Sequence, residues 1–153
     1  MREITLRHFF EGYASAAELD RDVVGTRVRE GPEGRPAVFA FRVERMARDF
    51  EVRPEHLLKL LDAAGAGALS VEHLSVICDW LDGGHEHFHW DVDTPEGARV
   101  ADALFWLGTP EINYPLTPAV LGKVRHYLAT GENTLTLADA RPAAGLAGGP
   151  GAA

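Results

Sequence analysis

The sequence predicts a mainly α fold: a bundle of about five to six helices with a small β-hairpin and a disordered C-terminal tail. Three observations carry that expectation. Apolar residues recur at helical spacing through most of the chain. Nearly every such run opens on a Ser, Thr or Pro start signal and closes on glycine. The exceptions are the stretch from residue 26 to 50, where alternation appears, and an Ala/Gly/Pro run from Ala138 onward.

In the first helix Leu6, Phe9, Phe10 and Tyr13 share a stripe, and Gly12 is a natural stop. Ser15 and Glu18 form a capping-box pattern before Leu19, Val23 and Val24, which Gly25 ends. Thr26 to Arg29 alternates, Gly31-Pro32-Glu33-Gly34 is turn chemistry, and Phe39, Phe41 and Val43 recur at period two. That reads as a hairpin. A helix over 38–50 with Phe39, Val43, Met46 and Phe50 on one stripe fits the same residues, so periodicity leaves both open.

Pro54 starts a helix with Leu57, Leu58, Leu61 and Ala64 inward, ended by Gly65. Ser70 caps the next, carrying Leu74, Ile77, Cys78 and Leu81 to Gly83-Gly84. Thr94-Pro95 opens a helix through Val100, Leu104 and Leu107 to Gly108. Thr117-Pro118 opens another through Val120, Val124 and Leu128 to Gly131. Residues 1–137 read as one globular domain and 138–153 as a tail with too little apolar surface to order itself.

The 153 residues suffice for a core without disulfides or a structural metal. Fifteen Lys and Arg against 23 Asp and Glu leave a net charge of −8. Such a surface repels phosphate backbones, which argues against nucleic acid and for a basic protein partner. No apolar run is long enough to span a bilayer, and the start lacks a signal-peptide core. With one cysteine, Cys78, no internal disulfide forms. The expectation is a cytoplasmic protein with no membrane association. Its oligomeric state has no signature in the sequence.

One segment concentrates chemistry. Residues 83–93, Gly-Gly-His-Glu-His-Phe-His-Trp-Asp-Val-Asp, hold three of the seven histidines. On an extended backbone His85, His87, His89, Asp91 and Asp93 share one face, and Phe88, Trp90 and Val92 the other. The apolar face would dock on the core. The polar face supports two readings. His85, His87, His89 and Asp91 are ligand types for Zn²⁺ or another divalent metal, as in a metal-binding protein or metal-dependent hydrolase. The metallo-β-lactamase pattern is broken, because His89 stands where Asp belongs, and a helical chain is the wrong fold for a cupin. Alternatively, Glu86, Trp90, Asp91 and Asp93 form an acidic, aromatic partner contact.

Pro110 and Pro115 flank a second stretch, in which Glu111 and Tyr114 are further candidate contacts. Asn113 there is expected to satisfy backbone groups of a helix connector. Cys78 falls on an apolar stripe, and no nucleophile elbow or phosphate-binding loop occurs. His56 reads as a solvated helix-face residue. The expectation therefore leans away from an enzyme and assigns no catalytic residue.

The opening Leu6-Arg7-His8-Phe9-Phe10-Glu11-Gly12, followed by Ser15-Ala16-Ala17-Glu18-Leu19, resembles the start of small bacterial immunity proteins of the colicin D immunity type. The resemblance covers the N-terminal fifth of the chain. It implies an acidic helical protein that binds and blocks a nuclease toxin, and it carries over no individual functional residue. The leading expectation is an immunity- or antitoxin-like interaction module that neutralises a basic toxin or nuclease. The metal reading is the first alternative. A non-catalytic structural subunit is the second.

Overall fold

The computed structural model describes residues 1–84 and 86–140. Among them are six helices: α1 (Glu3–Glu11), α2 (Ala16–Val23), α3 (Pro54–Gly65), α4 (Val71–Gly84), α5 (Pro95–Gly108) and α6 (Pro118–Thr130). All but α1 follow a start signal legible in the sequence. Ser15 Oγ accepts from Glu18 N at 3.2 Å, and Glu18 Oε2 accepts from Ser15 N at 2.7 Å, so the capping box is complete. Thr94 and Thr117 cap α5 and α6 through Gly97 N and Val120 N, at 3.0 and 3.2 Å. Proline occupies the first turn of α3, α5 and α6. Gly12, at φ 87°, closes α1 in the left-handed conformation that glycine adopts without strain.

Residues 26–50 do not form a helix. Strand β1 (Arg27–Glu30) pairs antiparallel with β2 (Val38–Phe41), with Arg27 opposite Phe41 and Glu30 opposite Val38. A second, parallel pair joins β3 (Phe50–Glu51) to β4 (Phe88–His89). His87 and His89 carbonyls accept from Phe50 N and Val52 N at 2.7 and 2.8 Å. The boundary expected at residue 137 is not where described order ends. Leu137–Asp139 forms a 3-10 turn, and Asp139 accepts two hydrogen bonds from Lys123 of α6, at 2.9 and 2.7 Å. The remainder of the expected tail, residues 141–153, lies outside the described residues.

The core is one apolar cluster. Leu6, Leu57, Leu60, Leu74, Ile77, Leu81, Leu104 and Leu107 are fully inaccessible. All but Leu60 belong to the predicted stripes; in α3 Leu60 is buried, whereas Leu58, which the spacing places inward, is only partly buried. Helices α4 and α5 approach most closely at Gly108. A Cβ built there would lie 2.6 Å from Asp79 N and 2.7 Å from its Cα. Only a glycine allows that crossing. No helix among the described residues is long and apolar enough to cross a membrane.

Gly108 and Gly122 give opposite expectations. Gly108→Ala forces two backbones apart and should cost about 1–3 kcal/mol. Gly122, inside α6, has nothing within 4 Å of its built Cβ. Gly122→Ala should stabilise by up to about 1 kcal/mol through helix propensity. Urea denaturation of both variants checks this; equal effects would contradict the packing.

Candidate interaction surface

The His/Asp segment alternates for only part of its length. Phe88 is fully buried, with ring centroids 6.4, 5.8 and 5.6 Å from those of Phe10, Phe50 and Trp80. Trp90 is half-buried against the core, and His89 is exposed. At Asp91 the chain leaves the strand. Asp91 Oδ1 accepts from Asp93 N at 3.0 Å, and its carbonyl accepts from Thr94 N and Oγ1 at 3.1 and 2.7 Å. Gly97 packs on that turn, its built Cβ only 1.8 Å from Asp91 O. The turn into α5 overrides the alternation, so Val92 is 59% exposed instead of docked.

Of the candidate metal ligands, His87, His89 and Asp91 fall among the described residues. His87 Nδ1 is engaged by Asp49 Oδ1 at 3.0 Å. Asp91 shapes the turn, and His85 lies outside the described residues. Among the described residues no three His, Cys, Asp or Glu side chains converge as a metal site requires.

The candidate partner contacts also separate. Exposed Glu86 is ion-paired with Arg45. With Trp90, Asp91 and Asp93 it precedes α5, whereas Glu111 and Tyr114 follow that helix. The 14-residue helix puts about 21 Å between the two groups. Tyr114 packs edge-on to Trp106, centroids 6.3 Å apart. Asn113 behaves as a connector residue: its Nδ2 donates to Phe105 O, Thr109 O and Thr109 Oγ1 at 3.1, 3.2 and 2.8 Å.

A concave surface lies elsewhere. A groove of about 530 Å³ runs between the hairpin, the end of α2, the start of α4 and the α5–α6 connection. Val23, Arg27, Phe39, Glu72, Val76 and Leu116 are among its walls. A second depression of about 480 Å³ shares Val71 and Leu116 with it and continues past Gly122 of α6. Phe39 and Val71, both exposed, line the groove, and exposed Val24 lies between the lining residues Val23 and Gly25. Residues 29–39 of the hairpin are exposed throughout, so the arm stands away from the body.

Arg27 anchors the groove's polar side. Its guanidinium lies 4.0 Å from the Phe39 ring centroid, and Nη2 is 3.7 Å from Asp79 Oδ2. Its Nε is buried without a hydrogen-bond partner. Burial raises the Asp79 carboxyl above its ordinary value, and Glu111 and Asp82 push the same way against Arg27. Glu72 adds another acid. Opposite them, His73 Nδ1 meets Asp20 Oδ1 at 2.7 Å. The groove thus combines apolar walls with Arg27, Glu72 and His73, and Asp79 stands behind Arg27 as its ion-pair partner. Sequence reasoning missed Arg27, Phe39, Glu72 and His73 as site residues. The available signal was the alternation of the hairpin, which exposes one side of a strand that has no second sheet to cover it.

Compared with known protein families, curated proteins and solved structures, the chain matches none.

The two best-defined histidines should titrate in opposite directions. His56 is not a solvated residue. It packs on Phe10 and Phe50, centroids 5.1 and 4.9 Å away, and its Nδ1 accepts from Arg53 N at 2.9 Å. Burial lowers its pKa below the ordinary 6.5. Its contribution to stability is present above that value and is lost as pH falls below it, because the unfolded chain binds the proton more readily. The hydrogen bond to Asp49 raises His87 above 6.5. That contribution is present below 6.5 and is lost as pH rises through the folded value. Imidazole NMR titration should place the His56 midpoint below 6.5 and that of His87 above it. Asp49→Asn should abolish only the second shift. The reverse order would contradict both contacts.

Proposed function

We propose that the chain is a cytoplasmic protein-interaction module that binds a basic partner through the groove beside the hairpin arm. A further step is that it acts as an immunity- or antitoxin-like protein neutralising a basic toxin or nuclease. The observation carrying the first statement is that two exposed apolar side chains, Phe39 and Val71, line one concave surface together with Val23, Val76 and Leu116. Contiguous exposed apolar surface rimmed by polar groups is how association surfaces present themselves. Aromatic groups in such positions carry a disproportionate share of binding energy.

Charge sets the partner's chemistry. The chain carries −8; Glu72 lines the groove, and Arg27 beside it is already paired with Asp79. A partner segment with basic and aliphatic side chains complements both features. The toxin-directed step is supported by the N-terminal resemblance and the acidity together. The single cysteine, buried and free, suits a reducing compartment.

A photo-cross-linking residue at Phe39, in cells of the native source, should capture a basic protein. With that partner purified, Phe39→Ala should weaken binding by about tenfold or more. Leu137→Ala, at a side chain 95% exposed and outside the groove lining, should leave it unchanged. Raising salt should slow association. Equal affinity for both variants, or an acidic partner, would overturn the assignment. Rescue of a host from the partner's toxicity by co-expression tests the toxin step.

A further inference from the structure

A smaller cavity, about 240 Å³, lies between α1, α4 and the strand leaving the hairpin. Its lining is Glu3, Phe41, Val43, Arg45 and Trp80. Its volume is below that of sites for drug-sized ligands and suits a single long side chain.

Glu3 is the unusual member. Only 1% of it is exposed, although it carries a carboxylate. A buried carboxylate is costly unless donors or a counter-charge surround it. Two features offset part of that cost. Glu3 opens α1, where the helix dipole favours an acid. Its Oε2 accepts from Met46 N at 2.8 Å, which also ties the 44–46 strand to the helix. No Lys or Arg is paired with Glu3 among the ion pairs of the described residues. Arg45, the cation at the mouth, is turned to Glu86 instead, in a pair whose two side chains are 66% and 54% exposed.

The walls complete a cation site. Phe41 and Trp80 offer aromatic surface, which attracts ammonium and guanidinium groups. Val43 offers apolar surface to an alkyl stem. Around the mouth, Glu86 and Asp49 add negative charge, and His87 beside them senses Glu3 itself. Phe41 is two residues from Phe39 on β2, so the cavity and the groove adjoin the same side of the hairpin, about 7 Å apart along the strand.

We propose that the Glu3 cavity receives one basic side chain, Lys or Arg, of the partner protein. This rests on the protein-interaction reading and adds the residue class that the partner must present beside its apolar contact. The incoming cation meets the Glu3 carboxylate and displaces Arg45, which keeps Glu86 as its own partner.

The test uses the whole chain with n-butylguanidinium and n-butylammonium as probes and n-butanol as the neutral control. The readout is the Trp80 indole N–H resonance, assigned with Trp90→Phe and Trp106→Phe. Both cations should give saturable shifts that weaken with salt, and butanol should not. Glu3→Gln retains an acceptor for Met46 N and should weaken the cations at least tenfold. Arg45→Ala removes a competing charge from an exposed position and should tighten them severalfold. It serves as the deciding variant if Glu3→Gln proves unfolded. Non-saturable shifts, an equal response to butanol, or probe affinity unchanged by Arg45→Ala would overturn the cavity. Absence of the probe response while partner binding still depends on Phe39 overturns the cavity alone. A normal probe response with no Phe39-dependent partner overturns the interaction reading instead.

Discussion

The structure turns on the burial of Phe88. Its ring meets Phe10 of α1, Phe50 of β3 and Trp80 of α4, so one side chain touches three parts of the chain distant in sequence. Aromatic contacts of this kind add roughly 0.5–1.5 kcal/mol each beyond area burial. The parallel pairing of Phe50–Glu51 with Phe88–His89 satisfies the backbone groups that accompany that ring inward. Val52 then follows into the core, and Pro54 starts α3 at once. On the other side, Asp91 and Thr94 turn the chain into α5 within a few residues. The starts of both helices are therefore placed by one buried ring and the short sheet beside it.

With the bundle held in that way, the hairpin is left with one side against α4 and no second sheet. Phe41 and Val43, near the body, are partly buried, while Val38 and Phe39 are not. Two-stranded ribbons are marginal alone and need a surface to rest on. Here only the base of the ribbon has one. The groove follows directly from this geometry: it is the space between a supported base and an unsupported arm.

Charge is distributed to match. Arg27 and Glu3, both near the hairpin base, are held by different means. Arg27 is sandwiched between Phe39 and Asp79, while Glu3 depends on a helix start and one backbone amide. Neither is a fully compensated ion pair. A surface with under-compensated charge next to exposed apolar groups gains more from a complementary partner than from water.

The helices were legible in the sequence because their causes are local. Ser15, Thr94 and Thr117 cap the amides that follow them, prolines set the first turn, and spacing of three and four aligns each stripe. The sequence by itself determined the six helices, the hairpin as one of two options, and the net acidity of the chain. Tertiary structure alone decided the rest. It chose strand over helix for 38–41, since β1 pairs with it. It ended the alternation at Asp91, where a turn and Gly97 compete with pairing. It engaged His87 with Asp49 and put the candidate partner contacts at the two ends of α5. It also brought Arg27, Phe39 and Glu72 together, and buried Glu3 beside Trp80. The physical reason is that periodicity reports which side of an element is apolar, whereas a site depends on which elements meet, and that is set by packing between residues distant in the chain.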